Sequence, residues 1–212
     1  MDNSTTKKTG TTTVGLKSPD CVVLAADTRA TVGNMIAAKE EQKVFSLTDN
    51  IAITIAGSVA SIQMLLKQIR AQIKLRNIKT GREMTVKEVV NLLRNYVFGI
   101  IRTPSMIPDV AHLLVGGVDQ HGVHLYDIFP DGTLSEIDSY ISSGSGSVFA
   151  FGVLESKYKN DLSKDDTLKL AEECVDVAIQ RDSASGNGAD VFDVDKDGVK
   201  QAVKKRVNTH LQ

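Results

Sequence analysis

The chain has 212 residues, of which 42% are hydrophobic and 24% charged, and its formal net charge is −1. This length and composition suit one globular domain with a sizeable core. A net charge near zero supplies no cationic field for nucleic acid or an anionic membrane, and no apolar run reaches the roughly 20 residues that span a bilayer. We therefore expect neither nucleic acid nor a membrane among its partners.

The N-terminal residues and the two cysteines indicate the cellular compartment of the protein. Residues 1–10 (MDNSTTKKTG) lack the apolar stretch of a secretory signal, which favours a cytoplasmic location. The two cysteines, Cys21 and Cys174, stand beside apolar neighbours in a predicted strand and a predicted helix. We expect both to be buried thiols, because two cysteines in a chain of this length do not form a disulfide framework.

Strands are predicted first. Residues 11–17, 21–26 and 51–55 are rich in β-branched and apolar side chains, and a Ser-Pro-Asp turn separates the first two segments. The runs are continuously apolar, which indicates that the sheet is covered on both faces.

Two helices follow. Apolar residues at helical spacing predict a long amphipathic helix over residues 58–79. A second helix is predicted from Thr85 toward Pro104, with the Thr85 hydroxyl and Glu88 forming a capping box at its start.

The second half of the chain is predicted to return to strands and then to helices. The expected elements are strands at 111–118, 123–129 and near 137–141, a helix of about two turns from Ser147, a helix over 165–180, and a strand near 189–194 before a charged tail. This order segregates strands from helices, so it argues against a parallel βαβ sheet. It favours an α+β fold with antiparallel sheets between helical layers.

Five separated motifs stand out along the chain. They are TTTVG at 11–15, Asp27-Thr28-Arg29, Lys43, Ile55-Ala56-Gly57, and the pair SGSGS at 143–147 and QRDSASG at 180–186. Singly, each has an ordinary explanation, since threonine is a good strand residue and charged side chains are commonly solvated. Together, in this order and spacing, they make the chain resemble the proteasome β-subunit family from Thr11 onward. The resemblance implies a four-layer αββα sandwich of two antiparallel sheets, the fold of N-terminal nucleophile hydrolases.

The resemblance also implies a threonine endopeptidase and assigns its central residues. Thr11 matches the nucleophile, and its own α-amine would be the proton acceptor because that group titrates at about 7.7–8.0. Lys43 matches the catalytic lysine and Asp27 the carboxylate that holds this lysine charged. The backbone N–H of Gly57 matches the oxyanion donor.

Further polar residues match positions that support the nucleophile. Ser145, Asp182 and Ser185 correspond to the residues that position the threonine amine, and Arg29 corresponds to a residue that supports them. The chemistry implied by the family needs no cofactor and no metal.

Residues 1–10 are interpreted as a propeptide, so that residues 11–212 form the hydrolase domain. While Gly10 is attached, the Thr11 nitrogen is an amide and cannot accept a proton, so the precursor would be inactive. Attack of the Thr11 hydroxyl on the Gly10 carbonyl would give an ester that water can open, and glycine tolerates the tight turn that this requires. A flexible tail without function would have the same composition.

The resemblance also places a substrate pocket. The matching positions are Ala30, Thr31, Phe45, Ile55 and Val59. This mostly apolar lining favours bulky apolar side chains before the cleaved bond. Glu41 and Gln63 depart from that character and would admit basic residues.

Two segments suggest metal ligands, and both have a simpler interpretation. The segment from Asp193 to Gly198 begins like a calcium loop, but Lys204 stands where a bidentate glutamate is required, which favours a strand that enters a turn. His121 and His124 flank a hairpin turn without further ligands nearby, which favours exposed histidines over zinc.

Two other identities remain open, an HslV-type threonine peptidase and an inert ring subunit. Arg29, the QRDSASG segment and the long C-terminal tail argue against the first. The joint presence of Thr11, Asp27 and Lys43 argues against the second.

The partners that the family implies are proteasome α subunits, other β subunits in heptameric rings, a regulatory ATPase that acts through the α ring, and unfolded protein substrates. The loop at Met35 and Ile36 is a candidate ring contact.

Overall fold

The structure is a computed structural model that describes residues 10–57, 59–102 and 111–207, without the side chains of residues 59–63 and 111. In chain order the elements are β1 (Thr12–Lys17), β2 (Val22–Asp27), β3 (Ala30–Val32), β4 (Met35–Ala38), β5 (Val44–Thr48), β6 (Ile51–Gly57), α1 (Val59–Thr80), α2 (Val86–Arg102), β7 (Ala111–Asp119), β8 (Gly122–Ile128), β9 (Leu134–Glu136), β10 (Tyr140–Gly144), α3 (Ser147–Lys157), α4 (Lys164–Arg181), β11 (Gly188–Asp195) and β12 (Gly198–Arg206). In the described residues, no helix combines the length and the apolar character needed to cross a membrane.

Two five-stranded antiparallel sheets form the centre of the molecule. The first has the strand order β10-β1-β2-β11-β12 and the second β5-β6-β7-β8-β9, while β3 and β4 form a separate hairpin. Helices α3 and α4 pack on the first sheet, and α1 and α2 pack on the second. The predicted α+β fold with four αββα layers is therefore confirmed.

The continuous apolar run of β2 is explained by its position inside the sandwich. Val22, Leu24 and Ala26 face the second sheet, whereas Val23 and Ala25 face α3 and α4. All five side chains are fully buried. A strand covered on both faces needs no polar alternation, because neither set of side chains meets water.

The second sheet follows the same rule. Ile51, Ile53 and Ile55 of β6 point into the core shared with α1 and α2, while Ala52 points toward the first sheet. The small side chain lies between the two sheets and the large ones under the helices, so β6 fits both layers.

The predicted capping box at the start of α2 is confirmed. The Glu88 N–H donates to the Thr85 hydroxyl at 3.3 Å, and the Thr85 N–H donates to the Glu88 carboxylate at 2.9 Å. Arg82 also forms a bidentate pair with that carboxylate, with nitrogen–oxygen distances of 2.6 and 2.8 Å. The hydrogen bonds from Arg82 and from the Thr85 backbone lower the pKa of Glu88 to about 2.

Several element predictions need correction. The charged C-terminal tail forms the edge strand β12, whose lysines face water and protect the open edge of the sheet. The strand expected near 137–141 is β10, at Tyr140–Gly144, and the helix of two turns is α3, with 11 residues. The short strands β3, β4, β5 and β9 were not predicted as separate elements, and β4 contains the Met35 and Ile36 of the expected loop.

Replacing the cap at α2 tests how much this local interaction contributes to stability. We expect Thr85→Ala to lower the free energy of unfolding by about 1 kcal/mol, which corresponds to a fall in Tm of about 2–4 °C, because the Glu88 N–H in the first turn loses its partner. Thermal unfolding followed by circular dichroism measures the change. The control is Ser156→Ala, because the exposed Ser156 hydroxyl bonds the Val153 carbonyl of its own helix and caps no helix start. Equal Tm values for the two variants would contradict the cap's contribution.

Candidate active site

Thr11 lies immediately before β1, at the end of the first sheet, and is only 5% exposed. Its backbone N–H donates to the Ser145 hydroxyl at 3.3 Å. Its own hydroxyl donates to the Gly10 carbonyl oxygen at 2.6 Å. With Gly10 attached, the Thr11 nitrogen is an amide, so it donates a hydrogen bond here and cannot accept a proton.

Asp27 ends β2 beside Thr11 and is fully buried. One carboxylate oxygen, Oδ1, accepts from the Thr12 N–H at 2.9 Å and from the Lys43 ammonium at 2.7 Å. The other, Oδ2, accepts from the Arg29 N–H at 3.0 Å and the Gly186 N–H at 2.9 Å. Four donors on a buried carboxylate supply the hydrogen bonds that it would otherwise make with water.

Lys43 stands just before β5 in the second sheet and is 6% exposed. Burial lowers the pKa of Lys43, and the negative charge of Asp27 opposes this shift only in part. The Lys43 carbonyl accepts from the Ile55 N–H at 3.0 Å, two residues before the end of β6 at Gly57. The predicted oxyanion donor therefore belongs to the strand end next to Lys43.

A second network joins the three polar residues that were predicted to position the amine. Asp182 accepts from the Ser145 hydroxyl at 2.6 Å and from the Ser185 hydroxyl at 2.7 Å. Ser185 also exchanges a hydrogen bond of 2.7 Å with the Thr12 hydroxyl. Burial alone would raise the pKa of Asp182, but these hydrogen bonds, the Ala184 N–H and the charge of Lys43 together hold it below its ordinary value.

Arg29 fastens the loop between α4 and β11. Its Nε donates to the Asn187 side-chain oxygen at 2.8 Å, and its Nη1 donates to the Ser183 carbonyl at 2.9 Å. Asn187 has a φ of 66°, a conformation that asparagine tolerates better than most residues. Asn187 and the Thr12 hydroxyl were not among the predicted site residues. The Gly-Asn-Gly tripeptide was the signal for a special backbone conformation, but nothing in the sequence indicated the contact with Arg29.

The glycines of the SGSGS segment allow the backbone to pass close to the threonines. Gly144 has a φ of +92°, and a Cβ built there would lie 2.0 Å from the Thr11 carbonyl oxygen. A Cβ on Gly146 would lie 2.0 Å from the Thr12 hydroxyl. Neither position has room for a side chain, so these two glycines are what allow Ser145 to reach the Thr11 nitrogen.

The residues expected to line a substrate pocket have different surroundings. Thr31 reaches the site, where its hydroxyl accepts from the Gly10 N–H at 3.0 Å. Ile55 is buried in the core under α1 and α2, and Phe45 packs against that core. Ala30 is half-buried at the start of β3. The side chains of Val59 and Gln63 lie outside the described residues.

The segment that begins like a calcium loop is the end of β11 and the turn into β12, as the alternative interpretation predicted. The Lys164 ammonium lies against the carboxylates of Asp193 and Asp195 there.

His124, one of the two histidines expected to be exposed and not to bind zinc, contacts Asp119 at 3.2 Å and Glu136 at 3.4 Å. Its side chain is 15% exposed, so it is less exposed than expected. Within the described ranges no group of three or more His, Cys, Asp or Glu side chains is placed to hold a metal ion.

Removing the charge of Asp27 tests the centre of this site. Asp27→Asn leaves the Lys43 charge buried without a counter-ion and turns an amide donor toward groups that are donors themselves. We expect a loss of about 3–5 kcal/mol in the free energy of unfolding, measured by chemical denaturation. The matched control is Asp138→Asn, since that carboxylate is 98% exposed and 3.9 Å from Lys17. Equal stability of the two variants would show that Asp27 carries no structural charge pair.

Comparison with known proteins agrees with the resemblance in the motifs. The model of the proteasome subunit family matches residues 7–194. The proteasome subunit beta of Archaeoglobus profundus is 42% identical over 95% of this chain and 92% of its own length. That of Haloquadratum walsbyi is 42% identical over 91% and 76%, and that of Methanococcus maripaludis is 43% identical over 90% and 86%. These relatives do not favour an HslV-type peptidase or an inert subunit. The chain therefore belongs to the proteasome subunit family, as a β subunit of the core particle.

Proposed function

We propose that this chain is a threonine-type endopeptidase whose nucleophile is the Thr11 hydroxyl. The observation that supports this most directly is the shared oxygen of Asp27, which accepts from both the Thr12 N–H and the Lys43 ammonium. One carboxylate thereby keeps a buried cation within two hydrogen-bond lengths of the backbone that carries Thr11. A positive charge near the hydroxyl lowers the cost of forming the alkoxide.

Peptide hydrolysis needs a proton acceptor as well as a nucleophile. Once residues 1–10 are removed, the Thr11 α-amine is free, and such amines titrate at about 7.7–8.0, near the working pH. The Ser145, Asp182 and Ser185 network holds this nitrogen through the Ser145 hydroxyl. The amine accepts the proton of the attacking hydroxyl and then passes it to the leaving amine. The Gly57 N–H would donate to the oxyanion, a contribution of roughly 3 kcal/mol.

Activation uses the same hydroxyl on the chain's own peptide bond. Thr11 Oγ1 adds to the Gly10 carbonyl carbon, the carbon–nitrogen bond breaks, and an ester to the Thr11 side chain and a free amine result. Water then hydrolyses the ester and releases residues 1–10 with a carboxylate on Gly10. The hydroxyl already contacts the oxygen of the same Gly10 carbonyl group at 2.6 Å, so nucleophile and target are held next to each other.

Substrate side chains would bind beside this centre in a pocket formed by Ala30, Phe45 and Val59, with Thr31 contacting the peptide backbone. The apolar character of these residues favours cleavage after bulky apolar side chains, because their burial is worth about 1.5–3 kcal/mol each. The half-buried Glu41 would extend this preference toward basic side chains.

The chain would work within an assembly of heptameric rings with α subunits and other β subunits in the cytoplasm. Exposed apolar residues suit such contacts, since large apolar side chains in water favour association. Among the described residues, Met35, Met64, Ile78 and Val148 are each at least 62% exposed. A regulatory ATPase acting through the α ring would deliver unfolded proteins to the enclosed Thr11 residues.

Replacing Thr11 tests the assignment. We expect Thr11→Ala to retain residues 1–10 and to hydrolyse an apolar fluorogenic peptide at least about 1,000-fold more slowly than the natural chain, because the nucleophile is absent. Intact-mass analysis of the assembled particle and the initial rate of peptide cleavage are the two measurements.

The control for this variant is Thr133→Ala, which removes an exposed hydroxyl from the turn between β8 and β9. It should begin at Thr11 and cleave the peptide at the natural rate. Unchanged cleavage by Thr11→Ala would contradict the proposed nucleophile. A natural chain that keeps residues 1–10 after assembly would instead support an inert ring subunit.

A further inference from the structure

Ala184 fills the space next to Gly10 where a side chain would project. A Cβ built on Gly10 would lie 1.8 Å from the Ala184 Cβ, 2.9 Å from the Ala184 Cα and 3.1 Å from the Ser145 hydroxyl oxygen. Carbon atoms in contact are normally about 3.5–4.0 Å apart. Position 10 therefore has room for a hydrogen atom but not for a methyl group.

Gly10 cannot shift away from Ala184 freely. Its N–H is held by the Thr31 hydroxyl at 3.0 Å, and its carbonyl oxygen accepts from the Thr11 hydroxyl at 2.6 Å. Moving Gly10 away from Ala184 would break the contact between the nucleophile and the carbonyl group that it attacks. Productive geometry and close packing at position 10 are thus coupled.

The Ala184 side is fixed as well. The Ala184 N–H donates to Asp182 Oδ1 at 3.1 Å, and the carbonyl of the preceding Ser183 accepts from Arg29 at 2.9 Å. The next residue, Ser185, bonds Asp182 at 2.7 Å. The methyl group therefore stands on a backbone segment that is hydrogen-bonded on both sides.

We propose that Ala184 is the specificity-determining residue of self-cleavage, because its methyl group admits only glycine at the position before the nucleophile. This inference rests on the proposed function. It also explains the choice of bond in a run of three threonines. Of Thr11, Thr12 and Thr13, only Thr11 follows a residue without a side chain. Cleavage before Thr12 or Thr13 would require a threonine side chain in the space that Ala184 occupies.

A double-mutant cycle tests the coupling between the two positions. The four chains are the natural one, Gly10→Ala, Ala184→Gly and the double variant, and the measured quantity is the rate at which intact mass shows loss of residues 1–10. With Ala184 present, we expect Gly10→Ala to slow self-cleavage by on the order of 10- to 100-fold, as for other overpacked sites. With glycine at position 184, we expect the fold-reduction in self-cleavage rate caused by Gly10→Ala to be about tenfold smaller.

A matched control separates steric room from a general effect of changing position 184. Ala184→Ser keeps an atom at Cβ, so in the Gly10→Ala background it should not restore self-cleavage. Restoration by glycine and not by serine supports the inference. Restoration by neither or by both would overturn it, as would Gly10→Ala cleaving at the natural rate or Ala184→Gly itself failing to release residues 1–10.

The same experiment keeps this inference apart from the proposed function. If the natural chain does not lose residues 1–10, or if Thr11→Ala loses them, the proposed threonine chemistry fails and the inference fails with it. If the natural chain is processed at Thr11 and the cycle shows no coupling between positions 10 and 184, only the inference about Ala184 is overturned.

Discussion

The buried carboxylate of Asp27 is the interaction on which the rest of the site depends. An uncompensated charge inside a protein is strongly unfavourable. The buried Asp27 carboxylate is therefore stable only where several hydrogen-bond donors converge on it. The donors come from β1, from the turn after β2, from the segment before β5 and from the loop before β11. The Asp27 side chain thus joins both sheets to the loop that carries Ser185. This junction lies at the end of the molecule where the chain enters β1.

The layered fold makes this convergence possible. The apolar core between the sheets, with residues such as Leu24, Leu114 and Leu125, ends near the carboxyl end of β2, and the polar residues begin there. The apolar core beside the Lys43 and Asp27 pair has a low dielectric constant, which strengthens their attraction. The same burial lowers the pKa of Lys43. Asp27 opposes that shift, so the pair holds a cation inside the site, as the proposed chemistry requires.

Elements with two covered faces or a clear helical period were predictable, and edge elements were not. β2 was recognised because both its faces meet apolar layers, and α2 because Thr85 and Glu88 mark its start. β12 reads as a charged tail because one of its faces and one of its edges are open to water. Hydrogen bonds join five residues matched by motif around Thr11 and Thr12, namely Asp27, Lys43, Ser145, Asp182 and Ser185. Asn187 was missed because its contact with Arg29 spans 158 positions in sequence.

The sequence by itself determined the family, the alternation of strands and helices, and the identity of the polar residues around Thr11, because these depend on residue types in a fixed order. Only the tertiary structure decided which atoms meet. One oxygen of Asp27 accepts from both Lys43 and Thr12. Gly144 and Gly146 let Ser145 approach Thr11, and Ala184 fills the space beside Gly10. All three contacts follow from the packing of segments that are distant in sequence. Contacts of this kind depend on distances in space, which spacing along a chain does not encode.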